Sequence, residues 1–378
     1  MTTPTATGTA KKPRDIRLDF FRGLSLTAIY AAHVPGDWLA QVIWARFGLS
    51  DAAHVFVFIS GYAAAIAFGG TFVRDGFAAG VKRIARRCIQ LYVAHLALFG
   101  CGAALCAGAA MLGIDYAAFL GISDFFADPA ATLTLLVRLA YVPTYFDILP
   151  LYMVVLAAVP LAMALARVDP RWVLGLSASL WLAVQFFAIN FDSNAPAGRG
   201  WGFNPMAWQL LFFAGYAAAR GWLPELRRNN LLLAASTLWL VLGVGAVSPV
   251  VYEHNATLGL LHDWFYAHAN KPNLDIRQFA HFLALAIVAL RIVDAWPGLL
   301  THACAMPFVT MGRQALTVFF TGMVLAHAGG IAFALMGSGL ASQIAVNAVG
   351  LGGIYTAARI AARLKGRGRT PATAAAAA

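Results

Sequence analysis

Apolar runs close to twenty residues long recur from one end of this chain to the other, and no other feature constrains its fold as strongly. About 20 apolar residues in a helix cross the ~30 Å of hydrocarbon in a bilayer. Within lipid, backbone amides can be satisfied only inside a helix or a closed barrel. The runs are continuous, not alternating, so helices are expected. Hydrophobic residues make up 61% of the 378 and charged residues 11%, against roughly 25% charged in a soluble globular chain. The expected fold is all-α, a polytopic membrane protein with about ten transmembrane helices. The spans fall at 18–36, 52–72, 89–114, 148–166, 173–189, 205–219, 231–247, 276–292, 316–336 and 344–361. A polar arm (1–17) precedes this 18–363 domain, and a basic, then Ala-rich tail (364–378) follows it and is expected to be disordered. The first run is too long for a cleavable signal peptide.

The net charge of +11 does not indicate nucleic acid. Lys and Arg sit in short clusters between apolar runs, the distribution that the positive-inside rule produces. With ten spans and a cytoplasmic N-terminus, 21 of the 27 basic residues face the cytoplasm, among them Lys11, Lys12, Arg14, Arg74, Arg227, Arg313 and Arg369. Five face outward: Arg46, Arg138, Arg199, Lys271 and Arg277. Counting the short apolar segment 131–142 as an eleventh span would divide the charges almost evenly, so both termini are expected in the cytoplasm. Cys88, Cys101, Cys106 and Cys304 show no ligand spacing and are expected to pack. No metal site is expected.

Ionisable groups inside a span are costly and mark function by default. The first span holds Asp19, Arg22 and His33. Arg22 and His33 are eleven residues apart, within about 20° of three full turns and roughly 16 Å along the axis, so one face carries both. Pro35 and Gly36 end the helix beyond His33. Asp51 and His54, at i,i+3, open the second span level with His33, where the carboxylate can orient an imidazole. Snorkelling is the ordinary role of an Arg such as Arg22, and an interhelical hydrogen bond that of a His such as His33. The close-packing role is preferred for Gly61. Lys82, Arg83, Arg86 and Arg87 form a basic cluster that leads into His95. Such clusters bind lipid phosphates, or cradle a polyphosphate donor. The long outer loops carry Asp147, Trp201, Asn204 and Trp208. These suit a carbohydrate ligand, although aromatic residues also belt membrane interfaces.

Several ordered blocks resemble the OpgC family of membrane acyltransferases. They are RDIRLDFFRGLSLTAIYAAHVP, FGLSDAAHVFVFISGY, RRCIQLYVAH, YFDILPLYMVVLAAVPL, GFNPMAWQLLFFAGY, DIRQFAHFLALA and MGRQALTVFFTGMVLAH. The family is similar to the type 3 acyltransferases, which share a basic residue, ten intervening residues and a His in the first span; Arg22 and His33 fit that spacing. The resemblance implies a multi-pass enzyme of the bacterial inner membrane. It would move an acyl group, succinyl in the named member, from coenzyme A to an osmoregulated periplasmic glucan or other envelope carbohydrate. Acyl-CoA (succinyl-CoA in that case) is then a co-substrate, with no permanently bound cofactor. His33 is the candidate general base or acyl carrier, assisted by Asp51 and His54. Arg22, Arg86, Arg87 and His95 are candidates for the donor, and Asp147, Trp201, Asn204 and Trp208 for the acceptor. One departure stands out: His54 occupies a position where the family block is expected to carry an acidic residue.

A transporter or flippase for a lipid-linked sugar is the rival reading, because it too needs intramembrane charge and a polar vestibule. Against it stand the lack of an internal repeat and the concentration of intramembrane charge in the first three spans.

Overall fold

The computed structural model describes residues 15–193, 200–225, 228–267 and 269–367. Lys11, Lys12, Arg14, Arg199, Arg227 and Arg369, counted in the charge argument, lie outside the described residues, as does the Ala-rich end of the tail. The described chain is all-helical, with no β-strand among the described residues. Its helices are α1 Ile16–His33, α2 Ala52–Arg74, α3 Phe77–Met111, α4 Tyr116–Leu120, α5 Ser123–Ala127, α6 Pro129–Val137, α7 Ile148–Ala157, α8 Val159–Leu165 and α9 Pro170–Phe187. They continue as α10 Pro205–Arg220, α11 Asn230–Val247, α12 Pro249–Tyr252, α13 Ala256–Ala267, α14 Ile276–Ala295, α15 Met306–Arg313, α16 Ala315–Met336 and α17 Leu340–Arg367.

Each of the ten expected spans is helical. Among the described residues, seven are long and apolar enough to cross a membrane: α2, α3, the α7–α8 pair, α11, α14, α16 and α17. The fold is thus that of a polytopic membrane protein. The other three fall short for visible reasons. α1 carries Arg17, Asp19 and Arg22 in 18 residues, α9 opens on Pro-Arg-Trp and includes Gln185, and α10 has only 16 residues. The segment 131–142 forms the short α6, nine residues or about 13 Å long, too short to cross. α3 begins twelve residues before its expected start, because hydropathy marks the lipid boundary whereas Lys82–Arg87 continue the helix past it. α7 and α8 divide one apolar run. Pro160 supplies no amide for the carbonyl one turn before it, and the helix breaks at Ala158. α17 continues to Arg367, past the point where the tail was expected to begin.

Among the described residues, two pairs of helices cross backbone to backbone. A Cβ on Gly61 would lie 1.9 Å from the Phe212 carbonyl oxygen, and one on Gly215 would lie 2.0 Å from that of Phe58, so α2 and α10 approach as closely as main chains can. Gly23 and Gly312 make the same reciprocal contact between α1 and α15. Small residues at such crossings let dispersion between backbones replace the hydrophobic drive that lipid removes.

Polar contacts sort the helix ends. At one end, called basal, Arg17 pairs with Asp15 and Asp294, Arg313 with Asp19, and Lys365 bonds Gln314. The start of α1 and the end of α17 therefore share one end of the bundle. At the other end, called distal, Gln343 donates to the Gly36 carbonyl, Asn347 to Asp37, and Lys271 to Asp51.

Candidate functional site

His33 occupies the last turn of α1, and the chain leaves it through Pro35 and a left-handed Gly36 (φ 78°). Its Nδ1 lies 2.6 Å from the Ile29 carbonyl oxygen. A carbonyl only accepts, so Nδ1 carries the proton and Nε2 keeps its lone pair in the neutral ring. The ring is half-buried. Tyr145 meets it edge-on at 5.2 Å and meets His327 of α16 at 5.7 Å. Tyr145 adopts φ 75°, a conformation costly for a residue with a side chain. Its ring stacks on Phe119 at 5.6 Å and 19°. His327 is buried, with Nδ1 3.5 Å from the Tyr116 hydroxyl. Sequence reading passed over His327; its one signal was an imidazole inside an apolar helix.

Asp51 caps α2. One carboxylate oxygen accepts from the Ala53 amide (3.0 Å) and lies 2.9 Å from His54 Nδ1. The Asp51 main-chain amide donates to the same Nδ1 at 3.2 Å, which closes a reciprocal cap on the helix. The other oxygen accepts from Lys271 Nζ. Burial opposes ionisation of Asp51, but the charge of Lys271 and the bonds from His54 and Lys271 together outweigh it, holding the carboxyl well below the usual range. Lys271 is raised in turn: burial works against its charge, and Asp51 overcomes it. The charges of Lys271 and Asp51 both reach the His33 ring. His33, Asp51 and His54 thus stand together at the distal end, joined by a lysine that sequence reading had placed outside without a role.

Of the four residues expected to face the acceptor, two hold the turn that carries Lys271. Trp208 is fully buried and its indole donates to the carbonyls of Lys271 and Pro272, each at 3.2 Å. Asn204 caps α10 and donates to the Ile189 carbonyl (2.6 Å) and to Asn273 (2.9 Å). These two side chains fix the turn that delivers Lys271. Trp201 is buried beside Phe191. Asp147 is buried under Gly202, in reach of the Lys271 charge, and burial raises its pKa to about 6.

Of the residues expected to meet the donor, two converge. Arg22 donates to the Ile59 carbonyl (3.3 Å), and Arg22 and Arg87 both lie within electrostatic range of the Tyr152 hydroxyl on α7. Arg86 is exposed beside them. His95 is not part of this group; it is wholly buried two turns further along α3, beside the Phe146 backbone. No group of three or more His, Cys, Asp or Glu side chains suited to a metal occurs among the described residues.

No curated protein and no solved structure shows significant similarity to the chain. A family model described as OpgC protein matches residues 14–366. That match spans nearly the whole chain, including both groups of residues just described, and the protein belongs to the OpgC family.

Proposed function

We propose that this protein transfers a short acyl group, succinyl or a close relative, from acyl-coenzyme A to a hydroxyl of a periplasmic or envelope glycan. Family membership suggests a glucan-modifying acyltransferase. The observation that carries the reading further is the state of His33: a half-buried imidazole whose Nδ1 is committed to Ile29, leaving Nε2 as a base at the distal end. The same helix carries Arg22 toward the basal end, where Arg87 and Tyr152 join it. In this reading about ten helices span the bacterial inner membrane, with the basal end in the cytoplasm. The described basal-end cations Arg17, Arg291, Arg313 and Lys365 agree with that orientation.

The donor's phosphates would meet the exposed basic residues of α3, and its pantetheine arm would lie along α1. His33 Nε2 takes the acceptor hydroxyl proton while the oxygen attacks the thioester carbonyl. The carbon–sulfur bond then breaks, and the thiolate leaves with the proton that His33 returns. Imidazole suits this double duty near neutral pH. The test is catalytic. Purified protein in nanodiscs, given succinyl-CoA, should release free thiol in an amount that matches ester formed on an added glucan. Transport of a lipid-linked sugar with no thiol release would replace the proposal with the flippase reading.

A further inference from the structure

A cleft of about 190 Å³ opens beside Asp51 at the distal end, bordered by Asp51, His54, Lys271, Gln278, Phe265 and Tyr266. It is small beside the ~300–1,000 Å³ of pockets for drug-sized ligands, so it suits one ring. Its polar groups are unusual in what they leave unmet. His54 is 1% exposed, and with Nδ1 turned to Asp51 its buried Nε2 meets no hydrogen-bond partner among the described residues. The buried amide oxygen of Gln278 also meets no donor among the described residues. A hydroxyl can both donate and accept, so an unpartnered ring nitrogen and an unpartnered amide oxygen bordering one cleft call for a ligand rich in hydroxyls. Asp51 adds negative charge, and its pairing with Lys271 leaves the cleft without a surplus cation for an anionic ligand. Lys271 can still donate to ligand oxygens, and Tyr266, 54% exposed, offers an aromatic face. Phe265 forms an apolar wall.

We infer that this cleft seats one neutral sugar ring of the acceptor, with His54 Nε2 and the Gln278 amide hydrogen-bonding to its hydroxyls and Tyr266 stacking on its C–H face. The inference rests on the acyl-transfer reading, and it moves acceptor recognition away from Asp147, Trp201, Asn204 and Trp208. A ring held here lies next to the charges that reach His33, so the neighbouring ring of the same chain presents the hydroxyl to be acylated. Gln278 and Tyr266 are then specificity determinants, and Lys271 closes the cleft by its bond to Asp51.

The experiment has two arms. In the first, a neutral glucose trisaccharide is titrated into the full-length protein in nanodiscs by calorimetry, without coenzyme A. Gln278→Leu should weaken binding by roughly three- to tenfold, the worth of one neutral hydrogen bond. Tyr266→Ala, at an exposed position, should weaken it comparably, and a trisaccharide of uronic acids should bind more weakly than the neutral one. In the second arm the acceptor KM for thiol release should rise in both variants by a similar factor, while the acyl-CoA KM stays unchanged. Unchanged sugar affinity in both variants would overturn the cleft assignment even if the wild type releases thiol. Sugar binding lost in the variants, in a wild type that releases no thiol, would support the cleft and sink acyl transfer.

Discussion

Replacing Gly61 with alanine tests whether the α2–α10 crossing sets the geometry of the distal site. The new Cβ would lie 1.9 Å from the Phe212 carbonyl oxygen and 2.8 Å from its carbon. A carbon–oxygen contact relaxes only near ~3.3 Å, so the helices must part by about 1.4 Å. Neither obstacle is a side chain that can rotate away. Overpacking costs about 1–3 kcal/mol when side chains can yield, so the upper end applies. The better helix propensity of alanine returns about 1 kcal/mol, leaving a net loss of about 2 kcal/mol. At ~2–4 °C per kcal/mol, thermal unfolding in a fixed detergent should fall by about 4–8 °C. The loss should reach the site as well, because α2 carries Asp51 and His54 while α10 carries Trp208, which holds the Lys271 turn. Gly215→Ala should behave alike, and the double variant should cost much less than the sum, since both report one contact. Gly100→Ala and Gly175→Ala, with nothing within 4 Å of the added atom, are the controls and should be neutral or up to about 1 kcal/mol stabilising. A Gly61→Ala protein that melts with these controls would refute the reasoning.

Two further outcomes follow from the geometry. Asp147 has its pKa raised from 3.8 to about 6, mostly by burial and against the pull of Lys271. The unfolded chain therefore ionises first, and stability should fall as pH rises from about 4 to 6, by roughly 3 kcal/mol per such shift. Asp147→Asn should remove that loss, so the difference in melting temperature between variant and wild type should grow across the window and then level off; a flat difference would contradict the burial argument. Arg87→Gln should weaken acyl-CoA binding more than Arg86→Gln, because Arg87 shares Tyr152 with Arg22 whereas Arg86 is exposed. The effect should be largest at low salt, where charge attraction is least screened, and equal or absent effects would return the cluster to a topology signal.

The helices were legible in the sequence because lipid imposes a simple rule, and every expected span proved helical. The rule speaks only to hydrocarbon, so it misplaced the start of α3, whose first turns carry Lys82–Arg87, and missed the break that Pro160 makes between α7 and α8. Local chemistry was legible too: Asp51 and His54, three residues apart, do bond, and Gly61 does mark a close crossing. What escaped were groups brought in across long separations. Lys271 meets Asp51 across 220 residues of chain, and no spacing argument reaches that far. Trp208 and Asn204 carry a sugar-binding expectation from their residue types, and nothing in their spacing showed that both also hold the turn that carries Lys271. The departure at His54 acquires a physical sense: a carboxylate there would oppose Asp51, whereas an imidazole accepts its charge and presents Nε2 to the neighbouring cleft.

Turnover by His33→Gln tests the acyl-transfer reading most directly. Glutamine keeps a side-chain donor that can reach the Ile29 carbonyl and removes the basic nitrogen, so packing and chemistry separate. A positioned general base is worth ~10²–10⁴ in rate. The variant should therefore insert, melt near wild type and bind succinyl-CoA with unchanged affinity, yet release thiol in the presence of glucan at least about 100-fold more slowly. Thiol release within a few-fold of wild type would contradict the central claim and make His33 a structural imidazole.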